Sequence, residues 1–587
     1  MRREILILVV LMLLSGCYSV FLGQNTHWDL LNYHLYNGFA FLHGRLGTDV
    51  FPAALHTTFN PIWDAVYYLI FTWFFEWPRL MAFVQGLPYG VLVWLSYRMM
   101  MEVFRDAPKE YRMVMVLCAT LIGCTSAGIF PQLGGSTAEV YITIFKIGSL
   151  WLAVRFIRKP VATHLIYWSA FLMGVAAGFK VSAAHACLAL AVLFLYQWKL
   201  LKNPWKSFCY FALAGLAGFL LVDGYFMWLR WHLYRNPFFP LLNNVFKSPY
   251  MDPISLVDAR LKPTNWLMWF FFPFYWVIKP VSGLAMEPRF ADPRWAICFI
   301  ALPLLYFRKL KTKCNTLVQS HLFNSLVVFA VSGYVFWLFF YSILRYAGAL
   351  EILSGVFIVA FFSSIGKKWW GMIFNVSIAQ WLLWFTTYPN WGHLPYTYHA
   401  FKPIEAPERL SDARLRKLNS QPELWEKYKQ MEKNKQPKPV SLPHIEDNSL
   451  VFTMVVGSSF LLPLLNPKAQ FIGGYKHKMA DYPLFYLGRA LDMNYSFTQD
   501  FFAHHFEDLQ RKKIAEHTGP IYILSFDWPM IVHDPVMRKF GLKGKWEDCT
   551  PIKMQMYPAS FALCKVTKIT SKDQAAVSNK KGKKKST

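Results

Sequence analysis

Asp29 stands a few residues beyond the first apolar run, in the stretch NTHWDLLNYHLYNGFAFLHGRLGTDVFPAALHTTFNPIWDAVYYL from Asn25 to Leu69. Tyr33, His34, Tyr36, Asn37, His43, Arg45, Asp49, Asn60 and Asp64 follow it. A connector between two apolar runs needs none of this. Aromatic, carboxylate, imidazole, guanidinium and amide groups at such density beside a bilayer read as a site at the membrane surface. Within it, Tyr33, His34 and Arg45 are candidate substrate contacts. His34 lies five residues after Asp29, a spacing that stacks two helical side chains less well than three or four. A tight carboxylate-imidazole pair is therefore not expected, and His34 is left to a substrate contact or to burial.

Other ionisable residues fall at the ends of later apolar runs: Glu139, Lys180 in GVAAGFKVSAA, and Arg345 with Glu351 in SILRYAGALE. Each alone reads as a headgroup anchor. Together they send charges from runs far apart in sequence to one face, which reads as a shared site. Lys180 is the clearest cation, and small residues flank it (Gly174, Ala176, Ala177 and Gly178 before, Ser182, Ala183 and Ala184 after), so an extended phosphate could approach the backbone closely. Snorkelling of Lys180 to the interface is the plain alternative. RNPFFPLLNNVFKSPYMDP, Arg235 to Pro253, is fixed by four prolines and offers Asn236, Asn243 and Tyr250, neutral donors and flat faces suited to sugars, or to an ordinary interfacial loop. Glu287, Arg289, Asp292 and Arg294 in MEPRFADPR are expected to pair among themselves.

The elements that position these groups follow from composition. The 587 residues are 55% hydrophobic, 18% aromatic and only 16% charged, too little polar surface for a soluble globule, so the chain is a polytopic membrane protein. A net charge of +27 raises the question of nucleic acid, but the Lys and Arg residues lie in short clusters between apolar runs, as in cytoplasmic loops; no nucleic-acid partner is expected. Met1 to Gly23, opening with Arg2 and Arg3, reads as an uncleaved first span, although LLSGC ending at Cys17 resembles a lipoprotein cleavage site. Asp64, Glu76 and Pro78 interrupt the next apolar stretch, which reads as an interfacial helix. Spans are then expected at 79–97, 111–130, 140–156, 163–178, 182–198, 208–229, 295–307, 322–341, 346–362 and 369–385. With the first, that makes about eleven, with the N-terminus inside and the C-terminus outside. Asn265 to Ile278 reads as a second aromatic interfacial helix.

After Tyr388 the pattern changes. Residues 389–447 form a charged connecting segment, 448–568 a small α/β domain with buried strands at Leu450 to Val456 and Ile521 to Phe526, and 569–587 a basic tail read as disordered. None of the nine cysteines has metal-ligand spacing; Cys549 and Cys564 fall together in a polar region, where a disulfide forms if that region is extracytoplasmic. No internal repeat is evident, which counts against secondary transporters.

One acidic residue in a large first outer loop (24–78), interfacial helices within that loop, about eleven spans and a C-terminal domain outside together resemble the GT-C superfamily. WDLLNYHLYNGFAFLHGRLG, GFKVSA, RNPFFPLLNNVFKSPY and RYAGALE also look like stretches of uncharacterised bacterial membrane proteins of that kind. The likeness covers Met1 to about Tyr388. It implies an integral glycosyltransferase of a bacterial inner membrane that moves a sugar from a polyprenyl-phosphate-linked donor to a glycan, lipid or protein acceptor outside. Asp29 would be the general base, and inversion would follow. Lys180 and Arg345 would stabilise the leaving phosphate, and Glu139 and Glu351 join the substrate contacts. Some members use a divalent metal, Mg or Mn, but Asp29 lacks an adjacent second acid and no metal ligand is assigned. The competing readings are a lipid-linked saccharide flippase or exporter and a non-catalytic envelope assembly factor.

Overall fold

The computed structural model describes residues 2–254, 258, 260–365, 368–396, 399–406, 423, 438–454, 457–473, 504–527, 537–538, 540–556 and 560–569. The basic tail and most of the charged connecting segment lie outside them. The chain forms two compact units, one built on Met1–Leu30 and Thr58–His393, the other on Leu31–Thr57 and the described residues from Leu394 onward. Leu31–Thr57, read above as part of the first loop, thus groups with the C-terminal unit.

The first unit is helical. Each of the eleven segments expected as spans is mostly helical, although the one expected at 111–130 stops at Cys124, and six described helices are long and apolar enough to cross a membrane: Arg2–Leu22, Pro78–Val103, Glu139–Arg158, Pro204–Tyr234, Ser320–Phe340 and Leu344–Ile365. His164–Phe179, Val181–Tyr196 and Arg294–Leu305 are apolar but shorter. Proline opens Pro78–Val103 and Pro204–Tyr234 at a position whose N–H needs no helical partner. Ile62–Trp73, twelve residues long, is the first short aromatic helix. The second is shorter than the sequence suggests: Trp266–Phe271, capped by the Asn265 side chain, passes into a 3-10 turn at Phe272–Trp276, where Pro273 removes a helical donor.

Apolar surface gives little drive for helices to associate in lipid, so small residues that permit close approach matter. A Cβ on Gly90 would lie 2.4 Å from Met12 Cα, which brings Pro78–Val103 against Arg2–Leu22. A Cβ on Gly174 would lie 2.0 Å from Gly215 O, and one on Gly218 2.1 Å from Phe171 O. Gly178 similarly abuts Phe219 O at 2.8 Å. Gly174 and Gly178 therefore face helix Pro204–Tyr234. This corrects their reading as a clearing for phosphate.

The second unit contains a mixed sheet. Its strands are β1 (Pro403–Ile404), β2 (Leu450–Thr453), β3 (Gln470–Gly473), β4 (Ile521–Phe526), β5 (Leu542–Lys543), β6 (Cys549–Met554) and β7 (Phe561–Lys568). The order is β1-β6-β7-β4-β2-β3, with β5 also on β7; β2 runs parallel to β3 and β4, and β7 antiparallel to β4 and β6. The buried runs of β2 and β4 sit at its centre, as their unbroken apolar sequences require. Cys549 and Cys564 are directly paired across β6 and β7 and form a disulfide. Val50 bridges Ile472, so the stretch from the first loop extends the β3 edge.

Candidate active site

Four residues singled out in the sequence meet in the first unit. Arg345, in the 3-10 turn Leu344–Ala347, places Nη1 3.1 Å from Asp29 Oδ2. Lys180, at the C-terminal cap of His164–Phe179, places Nζ 2.6 Å from Oε1 of Glu139, the first residue of Glu139–Arg158. Tyr346 links the two pairs, because its ring lies 4.7 Å from Lys180 Nζ and 5.5 Å from the Arg345 guanidinium carbon. Asp29, Glu139 and Arg345 are buried, and Lys180 retains about a fifth of its side-chain exposure. Burying such charges is costly unless each finds a partner, and pairing is what permits them here.

Several neighbours escaped the sequence reading. The Asp29 N–H donates to His27 Nδ1 at 3.1 Å, and the His27 ring packs 5.0 Å from Trp391, whose ring also lies 5.2 Å from the Arg345 guanidinium carbon. Thr26 is tied to Gly392 through its backbone N–H and its hydroxyl, which fixes the approach to Asp29. Glu287 Oε1 lies 3.9 Å from Arg345 Nη2, so this residue leaves the expected MEPRFADPR group and faces the site. Lys146, fully buried within Glu139–Arg158, donates to Tyr346 O at 2.8 Å. A lysine inside the apolar run EVYITIFKIGSLW was the signal available for it, since a charge there is expensive without a role. Arg345 Nε, Glu287 Oε2 and Trp391 Nε1 are buried with no hydrogen-bond partner among the described residues.

The remaining candidates lie elsewhere or are committed to structure. Glu351 is buried and accepts from the Gly128 N–H at 2.9 Å. It lies beside a separate network in which Arg294 Nη1 bonds Asp292 at 2.9 Å and Thr386 at 2.7 Å. Asn236 and Asn243 are fully buried. Asn236 donates to Leu241 O and accepts from Phe238 N; Asn243 donates to Met251 O and Asp252 O and accepts from Ser248 N. Their amides hold the loop's shape, which corrects the sugar-facing reading. Tyr250 is half-buried, its ring edge-on to Tyr234 at 5.8 Å.

Tyr33, His34 and Arg45 group with the second unit. Tyr33 stacks on His56 at 4.8 Å and packs against His34 at 4.2 Å. Arg45 grips Asp49 through Nε (2.7 Å) and Nη2 (2.6 Å) and donates to Pro467 O and Ala469 O. Asp49 Oδ1 also accepts from Phe471 N at 2.9 Å. Burial alone would lower the Arg45 pKa, but Asp49 together with Tyr36 more than offsets it and holds the group above its ordinary value. Arg45 therefore clamps the first-loop stretch to the β3 edge, a structural task in place of the expected substrate contact.

Among the described residues no group of three or more His, Cys, Asp and Glu side chains could hold a metal ion. Asp29 and Glu139 each face a protein cation at ion-pair distance, a donor set poorly fitted to a divalent metal. The chain matches no protein-family model and no curated protein.

Proposed function

We propose that the protein is a GT-C-like membrane glycosyltransferase, transferring a sugar from a polyprenyl-phosphate-linked donor to a glycan, lipid or protein acceptor. The observation that carries this reading is the meeting of Asp29, Arg345, Lys180 and Glu139 around Tyr346, acid and cations delivered by chain segments far apart in sequence. In this reading all eleven apolar helices span the bilayer of a bacterial inner membrane. The basic clusters Arg155, Arg158, Lys159 and Lys199, Lys202 lie in the cytoplasm, and the site and the C-terminal unit face the periplasm.

Asp29 takes the proton of the acceptor hydroxyl as its oxygen attacks the anomeric carbon. A bond forms from that oxygen to the carbon, the bond from the carbon to the donor phosphate breaks, and the electron pair leaves on the phosphate. Attack opposite the leaving group inverts the centre. A phosphate leaving group is already stable as an anion, so it needs positive charge more than a proton, and Lys180 and Arg345 supply it. No step calls for a metal.

The test is mass spectrometry of lipids carried by gently purified wild type and Asp29→Asn. Polyprenyl phosphate on the wild type, with its sugar-loaded form enriched on Asp29→Asn, is expected. Loss of a general base should lower turnover about 100- to 10,000-fold. Only bulk phospholipid, with Asp29→Asn still complementing a deletion strain, would remove the catalytic role and favour transport or assembly.

A further inference from the structure

The guanidinium assigned to the leaving phosphate is held in this structure by the base. Arg345 Nη1 meets Asp29 Oδ2 at 3.1 Å, while Nη2 lies 3.9 Å from Glu287 Oε1. The second cation is engaged in the same way, with Lys180 Nζ 2.6 Å from Glu139 Oε1. At both cations a carboxylate occupies a place that a phosphate oxygen would need. A carboxylate gripped by a guanidinium is stabilised as the anion and is a correspondingly weak base.

We propose that Asp29 and a phosphate-bearing ligand compete for Arg345, so that arrival of the donor's phosphate releases Asp29 to act as base. The inference rests on the functional reading above and adds to it an order of events, donor before proton transfer. Three features suit Arg345 to change partners. Its guanidinium carbon lies 5.5 Å from the Tyr346 ring and 5.2 Å from the Trp391 ring, and attraction to a ring face tolerates rotation of the group. Glu287 stands on its second amino group and retains it at the site as Nη1 turns away from Asp29. Arg345 Nε and Glu287 Oε2, both buried and unpartnered among the described residues, supply a spare donor for a phosphate oxygen and a spare acceptor for the turned guanidinium. The acceptor hydroxyl then meets an active base only beside a loaded leaving group.

Competition makes a prediction that a simple base does not. Removing the Asp29 charge leaves Arg345 short of a carboxylate, so a phosphate gains more by binding there. Full-length protein in detergent is titrated with decaprenyl phosphate, with decaprenol as the uncharged control. Wild type should prefer the phosphate, Arg345→Gln should lose about tenfold in affinity, and Asp29→Asn should bind about tenfold tighter than wild type. Asp29→Ser, smaller and equally uncharged, must show the same gain and stands in if Asn does not fold. Arg345-dependent binding that is unchanged or weakened in both Asp29 variants overturns the competition while leaving the phosphate site intact. No preference for phosphate over alcohol in wild type or either variant overturns the phosphate reading itself.

Discussion

Alanine at Gly174 should force helices His164–Phe179 and Pro204–Tyr234 apart. A Cβ there would stand 2.0 Å from Gly215 O, 2.9 Å from Gly215 C and 3.0 Å from Phe219 N, all backbone atoms that cannot rotate aside. Ordinary contact begins near 3.4 Å, so the helices must part locally by about 1.4 Å. A gap of 0.5 to 1 Å already forfeits roughly a quarter to a half of each dispersion contact it opens, and overpacking of this kind costs about 1–3 kcal/mol. We expect about 2 kcal/mol or more, read as a lowered midpoint of SDS-induced unfolding in mixed micelles. Gly215 is the internal control, because a Cβ on it would meet its nearest neighbours at 3.6 and 3.9 Å, ordinary contact, and Gly215→Ala should stay within about 0.5 kcal/mol of wild type. The displaced helix ends at Lys180, so Gly174→Ala should also weaken the pair with Glu139. Equal midpoints for wild type, Gly174→Ala and Gly215→Ala, or equal losses in the two variants, would refute the close-approach argument.

Two predictions concern the second unit. The Glu446 carboxyl is held down to about 2 by the Tyr522 hydroxyl and the Lys565 ammonium, against an ordinary 4.5. A carboxyl lowered on folding stabilises the fold above its unfolded value and loses that contribution as pH falls toward the folded one. The gap in thermal midpoint between wild type and Glu446→Gln should therefore be constant above pH 5 and close toward pH 2; a gap that stays open through that range contradicts the assignment. Asp49→Asn should cost about 2 kcal/mol by leaving Arg45 with a neutral partner, and limited proteolysis should then cut 31–57 sooner. If the stretch is as resistant as in wild type, Arg45 is not its clamp.

How much of this was legible in the sequence depends on whether a residue's chemistry has one use or several. Apolar runs flanked by basic clusters have essentially one, and every expected run is mostly helical. The meeting of Asp29, Glu139, Lys180 and Arg345 was legible because each stood at an end of such a run. Glu351 was not separable from them. It lies past the 3-10 turn that carries Arg345, already inside Gly348–Ile365, and that extra depth takes it to Gly128. Asn236 and Asn243 misled because an amide that pins a loop and one that grips a sugar have the same composition and proline-rich setting; only the partners tell them apart. The glycines before Lys180 misled similarly, since smallness serves a backbone neighbour as well as a ligand. His27 and Trp391 could not be paired from sequence, being brought together across more than 300 residues by the Thr26 to Gly392 bonds.

If the site lies at a membrane surface, as proposed, its pairing follows from the medium it is built in. An unpaired buried charge at the edge of a bilayer costs far more than one in water, so on the proposed reading cations that serve a phosphate cannot simply wait there. Lys180 is answered by Glu139, Arg345 by Asp29 and Glu287, and Lys146 by the carbonyl of Tyr346. The same pairing sets what a ligand must bring. An uncharged sugar or alcohol cannot replace a carboxylate on Arg345 without leaving both charges stranded, whereas a phosphate offers the guanidinium an equivalent partner at the moment it takes one away. On the proposed function, selectivity for an anionic headgroup would follow from this charge balance, and the group given up in the exchange would be Asp29, the proposed base.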